Sequence, residues 1–189
     1  MRWQQLFADL QAQFDEEEAS AERAESASRA RAEIGAVALA QRLSGAVGSP
    51  LSLRCAGAGP VVGVLVEVGV DWLLLEDESG RPSLVAASAV RTVGGLGRRT
   101  TMPEELGPVR GRLDLRRALR GLARDRSTVQ VMLEDGTVVT GTVDRVGADY
   151  VEIAEHPVDL PRRAEAVQGV SAVVISAIAV VRTASVALD

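Results

Sequence analysis

The sequence predicts an α+β chain, mainly β: an N-terminal helical arm followed by two small β-barrels, the second preceded by a short basic helix. Three observations carry this. Apolar residues recur at intervals of three and four over residues 2–46 and again over 112–124, whereas residues 51–93 and 128–183 alternate with a period of two. The stretch PVVGVLVEVGVDWLLL at 60–75 returns as VVTGTVDRVGADYVEI at 138–153. In register, Val61/Val139, Gly63/Gly141, Val68/Val146, Gly69/Gly147 and Asp71/Asp149 are identical, and Trp72 stands opposite Tyr150. Finally, Gly, Pro, Asp and Ser punctuate the alternating runs where turns are needed.

The arm, residues 1–47, opens with Trp3, Leu6, Phe7, Leu10 and Phe14 on one helical side, and Ile34, Val37 and Leu43 follow an Ala/Glu/Arg-rich middle. Alanine offers little to bury, so the middle either projects into solvent or packs closely on another helix. A coiled-coil arm through residues 1–45, joining a second copy or a protein partner, is one expectation. Gly45, Gly48 and Pro50 stop the helix. The first barrel, 48–96, takes LSLRCAG, PVVGVLVEVG, DWLLLEDESG and PSLVAASAVRTV as strands. Residues 97–111 have the Gly, Pro and polar content of a linker.

The last segment, 112–189, begins with RLDLRRALRGLAR, where Leu115, Ala118, Leu119 and Leu122 make an apolar stripe beside Arg116, Arg120 and Arg124 at i, i+4 and i+8. Strands TVQVMLEDG, TVVTGTVDRVG, DYVEIAE and SAVVISAIAVVRT follow, with Asp135-Gly136 as a hairpin turn and a loop over 157–170. Each copy is thus a helix and about five short strands, a set suited to a small closed barrel.

Composition narrows the chemistry. With 189 residues, 47% of them apolar, the chain can bury a core. All 21 cationic residues are arginine, with no lysine anywhere, which excludes P-loop nucleotide hydrolysis and Schiff-base chemistry. The net charge of −5 conceals segregation: residues 1–33 hold eight acids and four arginines, residues 98–126 nine arginines and four acids. The single Cys55 lies in an alternating run and reads as a buried strand residue; the single His156 and single thiol make no metal cluster. GAGPVVG at 57–63 is followed by strand instead of helix, no Gly-x-Ser-x-Gly is present, and Asp15-Glu16-Glu17-Glu18 lacks the spacing of an oxygen-ligand loop. No enzyme, cofactor or metal is expected. The longest apolar run, 170–181, falls short of the roughly 20 residues that cross a bilayer, so a cytoplasmic location without a membrane partner is expected.

VQVMLEDG, TVVTGTV and SAIAVV, after a helix ending in Arg124-Asp125-Arg126, resemble the Sm-like fold, a kind of SH3-like barrel, and in particular the bacterial Hfq-type RNA chaperones. The first copy resembles it more loosely, and the whole chain looks like a tandem Sm-like protein of high-GC actinobacteria. The resemblance implies a bent second strand at Gly63 and Gly141 and RNA contact through the rim that Arg124 and Arg126 match. The chain departs where that family carries Lys-His before the last strand, since Ile175-Ser176 and Ala87-Ser88 stand there. The uridine-binding site the pair serves is therefore missing.

Two functions remain open. A non-catalytic, RNA-associated nucleic-acid-binding module would use Arg116, Arg117, Arg120, Arg124 and Arg126 on phosphates and Trp72 and Tyr150 on bases. Alternatively, the arginines pair with the acidic arm, the two aromatics plug the barrels, and the arm and barrel edges serve as a protein scaffold. Asp71 and Asp149 are expected to brace the turns between strands.

Overall fold

The computed structural model describes residues 2–101, 113–157 and 167–183. Most of the expected linker and residues 158–166 of the expected loop lie outside them. Two compact units are present, residues 1–38 and residues 39–189. The first is one helix, α1 (Arg2–Ala36), about 52 Å long at 1.5 Å per residue. Its apolar residues Trp3, Phe7, Leu10, Phe14 and Ile34 are all exposed.

The second unit opens with α2 (Leu39–Ser44), so the helical stretch breaks in two at 37–38. Leu43 is its buried anchor, and Arg42 donates to the Gly97 carbonyl at 2.9 Å. Five strands follow: β1 (Pro50–Cys55), β2 (Gly59–Val68), β3 (Trp72–Glu76), β4 (Pro82–Ala86) and β5 (Val90–Gly94), with a 3-10 turn at Ala87–Ala89 before β5. Helix α3 (Leu115–Asp125) then leads to β6 (Thr128–Leu133), β7 (Val138–Val146), β8 (Tyr150–Glu155), β9 (Gly169–Val174) and β10 (Ile178–Thr183), again with a 3-10 turn, Ile175–Ala177, before the last strand.

All ten strands are antiparallel to their neighbours and form one open sheet in the order β5-β1-β2-β3-β4-β10-β6-β7-β8-β9. The α+β class and the doubled strand set agree with the sequence. Where the sequence leads one to expect two separate closed barrels, the two strand sets share a sheet instead, because β4 pairs with β10. Val85 lies opposite Val180, Leu84 opposite Val181 and Ser83 opposite Arg182. One continuous cluster of buried side chains results, with Leu53, Leu65, Leu75 and Val85 from the first repeat and Val129, Val143, Ile153 and Val180 from the second. Each such fully buried aliphatic side chain contributes roughly 1.5–3 kcal/mol.

The duplication extends to irregularities. The β2–β3 ladder shifts register between Leu65 and Glu67, and the β7–β8 ladder between Val143 and Arg145, the equivalent positions. Such bulges sharpen twist and let a short strand bend. Two residues earlier, Gly63 and Gly141 pass so close to the next strand that a Cβ would strike the Glu76 or Ala154 carbonyl. Glycine is required there by space.

Cys55 is buried, as the alternation implies, and burial pushes its thiol pKa up, against the opposing pull of Arg182 and Arg91. His156, expected in a loop, is buried too. Its Nδ1 lies 2.9 Å from the Pro157 carbonyl, which can only accept, so in the neutral imidazole Nδ1 carries the proton and Nε2 accepts from the Thr142 hydroxyl 2.8 Å away.

Two outcomes follow from these contacts. Gly141→Ala must displace backbone and is expected to cost about 1–3 kcal/mol in chemical denaturation. Gly121→Ala, in the interior of α3 with open space where the methyl would stand, is expected to add about 0.5–1 kcal/mol. At the β3–β4 turn, Asp77 accepts from the Ser79 hydroxyl and from the backbone N–H groups of Arg81 and Ser79, and Arg81 Nε donates to it at 3.0 Å. These bonds, the Ser79 hydroxyl foremost, lower its pKa from 3.8 to about 2. Because the folded value is depressed, the stabilisation is complete above pH 3.8 and is lost as pH falls toward 2. An NMR titration of Asp77 is expected to find its midpoint near 2, and Ser79→Ala to move that midpoint back up.

Candidate nucleic-acid interface

Helix α3 carries most of the cationic candidates. It starts because Asp114, in extended conformation, accepts the Arg117 N–H at 2.8 Å as its N-cap. It ends at Arg126, whose left-handed backbone (φ 51°) closes the last turn, the Arg126 N–H meeting the Ala123 carbonyl. At 100° per residue, Arg116, Arg120, Arg124 and Arg117 fall within an arc of about 100°, with Leu115, Ala118, Leu119 and Leu122 on the other side. Leu115 and Leu119 are buried, which turns the arginine arc outward.

The first repeat also fixes the start of this helix. Asp71 Oδ1 accepts the Leu115 N–H at 2.7 Å, and the Trp72 indole N–H donates to the Leu113 carbonyl at 2.8 Å. The Asp71 side chain thus anchors a helix 44 residues away instead of bracing its own turn. The turns themselves are held by backbone: Gly69 and Gly147 donate to the carbonyls of Trp72 and Tyr150, both at 2.8 Å. The Asp71 and Asp149 carbonyls accept from Ala87 and Ile175, also at 2.8 Å.

The candidate residues separate into different surroundings. Arg117, Arg120 and Arg124 are exposed along α3. Among the described residues of the second unit, no carboxylate forms an ion pair with Arg120 or Arg124. Arg126 lines a cleft of ≈ 340 Å³ with Asp144, Arg145 and Glu152, where opposite charges are balanced. Arg116 is half-buried, 3.6 Å from Asp114, with its Nε enclosed and unpartnered. Trp72 is 6% exposed and lines an apolar cavity of ≈ 230 Å³ with Ala118 and Leu122, away from the arginine arc. The indole belongs to the core cluster of buried side chains. Tyr150 is half-exposed, its ring lying over Gly147.

A second cleft, of ≈ 410 Å³, was not among the sequence expectations. Asp71 and Asp149, Ser88 and Ser176 line it together with Asp114 and Arg116. Each of the first two pairs is one repeat position used twice. Reading the doubled strands as paired surfaces, not only as paired folds, would have brought these residues together. Three carboxylates against one guanidinium make this cleft repel phosphate, so the phosphate-binding candidate is the outer face of α3.

Compared with known proteins, the chain matches no family model, no curated protein and no solved structure.

Replacing Trp72 by Phe leaves the Leu113 carbonyl without its indole donor and is expected to cost about 1–3 kcal/mol. Asp71→Ala, which frees the Leu115 N–H, is expected to lower the helical circular dichroism signal and to destabilise by about 1 kcal/mol. Urea denaturation followed by circular dichroism checks both.

Proposed function

We propose that this chain is a non-catalytic nucleic-acid-binding module, RNA-associated and regulatory, in which two bent five-stranded units of SH3/Sm-like type share one sheet and present α3 outward. The observation that carries the reading is the exposed row of Arg117, Arg120 and Arg124, in which Arg120 and Arg124 have no ion-pair partner among the described residues of the second unit. Guanidinium groups so placed suit phosphate oxygens, which they can meet two hydrogen bonds at a time. The matching bulges and close-packed glycines of the two repeats support the bent-barrel reading. With Trp72 buried and only five aromatic residues in the chain, phosphate contact outweighs base stacking, so binding is tolerant of sequence.

The second reading, a protein scaffold working through its helix and sheet edges, is favoured by the exposed apolar row on α1 and by the outer sides of β5 and β9, which pair with no strand among the described residues. Titration of single-stranded RNA and duplex DNA across a salt series separates the two. Three phosphate contacts predict that log K falls with log salt at a slope of about −2 on single strands and about −3 on duplex. Arg120→Ala with Arg124→Ala is expected to reduce the slope by about two-thirds and to weaken binding alike for all sequences. No binding at low salt would remove the nucleic-acid reading.

A further inference from the structure

Helix α1 forms the first unit by itself, and its apolar side chains find no cover within that unit. Trp3, Phe7 and Phe14 are 72%, 64% and 69% exposed, and Ile34 is 74% exposed. The side-chain contacts described along the helix are local: Arg29 pairs with Glu25, and Arg23 donates to the Ala19 carbonyl. Such pairs on a helix surface add only about 0.2–0.5 kcal/mol each. A helix draws most of its stability from burying an apolar face, so three aromatic rings in water mark a contact surface.

The row has the spacing of a two-helix seam. Trp3, Phe7, Leu10 and Phe14 are separated by four, three and four residues, the alternation that keeps a stripe facing one neighbouring helix. Continued in the same steps, the seam runs through Glu17, Ala21, Ala24, Ser28, Arg31 and Gly35. Its first half is bulky and, Arg31 apart, its last half is small. Charge divides at the same place: residues 2–19 hold five acids and one arginine, and residues 20–36 hold three of each.

We propose that α1 of one copy of this chain pairs antiparallel with α1 of a second copy, centred near Ala19. In that register Phe14 meets Ala24, Leu10 meets Ser28, Phe7 meets Arg31 and Trp3 meets Gly35, each pair made twice. A small residue stands opposite each bulky one except at Phe7, where the Arg31 stem covers the ring and its guanidinium can face it. Ile34 comes beside Trp3, and the absent side chain at Gly35 leaves the indole room.

Orientation follows from charge. A parallel pair sets Glu17 against Glu17 and Arg31 against Arg31 in the seam, with the two acidic halves side by side. The antiparallel pair sets each acidic half against a balanced one and brings Asp9 and Asp15 level with Arg29 and Arg23 of the second copy. Its adverse contact is Glu18 with its own copy, at the flank of the seam where water and salt screen it. Covering three rings per copy, with Leu10 and Ile34, removes about 1,000–1,200 Å² from water, the lower edge of stable specific interfaces. The dimer therefore dissociates on dilution. The inference uses no residue of α3 and stands apart from the nucleic-acid reading.

Sedimentation velocity on the full chain from about 1 to about 200 µM tests this, with thermal melts to show that each variant keeps its fold. The expected result is a mass rising from one chain to two and no further, with association weakened at least about tenfold in Phe7→Ser with Phe14→Ser. A nitroxide on Glu33→Cys reads the orientation by pulsed electron spin resonance. Cys55 is buried, so the introduced thiol is the one that takes the label. Antiparallel pairing separates the two labels by roughly 28 residues of helix rise, or about 42 Å, whereas parallel pairing sets them about 20–25 Å apart. A single-chain mass throughout the range overturns the proposal and leaves the α1 row to its own chain or to another protein. So does association unchanged in the folded Phe7→Ser, Phe14→Ser variant, and so does the short label distance.

Discussion

The β4–β10 ladder is the constraint on which the second unit depends. Without it the chain would be two five-stranded pieces, each exposing the edge that the other now covers. With it, Val85, Val180 and Val181 leave water together, and the side chains of both repeats become one cluster. Other contacts register the same joint. Arg91 reaches Glu134 at 3.4 Å, and Gly57 passes against the backbone of Leu133 and Glu134 so closely that no side chain fits. The ion pair is half-exposed and worth little; its use is to favour one alignment of the turns over others.

The same joint explains how α3 is aimed. Its sequence belongs to the second repeat, yet two of the groups that fix its start, Asp71 and Trp72, belong to the first. A rigid sheet running through both repeats is what lets a loop in one hold a helix of the other at hydrogen-bond distance. Outward presentation of Arg120 and Arg124 is thus a property of the fused pair, and a single repeat would lack half of the helix's anchorage. The charge pattern follows. Three carboxylates gather with Arg116 at the cleft where the repeated loops meet, and Arg117, Arg120 and Arg124 lie exposed along the helix.

Much of this was legible in the chain and some was not, for definite reasons. Period-two alternation located the strands, and Asp135-Gly136 marked its turn, because both signals are local. The echo at 60–75 and 138–153 identified equivalent bends, and the bulges fall at equivalent residues. Pairing of Leu84 with Val181 joins residues nearly a hundred positions apart, and alternation says which face of a strand is buried but not which edge is matched. His156 next to a proline reads as loop, and only the arrival of Thr142 across the ladder explains its burial. Trp72 and Tyr150 share a position and differ in circumstance, since the Trp72 indole nitrogen reaches a helix start while the Tyr150 ring lies half-exposed over Gly147.

Duplication makes such divergence possible. Two equivalent positions begin with the same neighbours, but the joint gives them different ones. Asp71 meets the backbone of Leu115, and no described residue makes an equivalent side-chain hydrogen bond to Asp149. Ala86 is enclosed at the joint, and Val174, in its place on β9, faces open space. Small side chains are tolerated at a buried joint because close approach of the strands supplies the contact; larger ones at an open edge cost hydration unless something covers them.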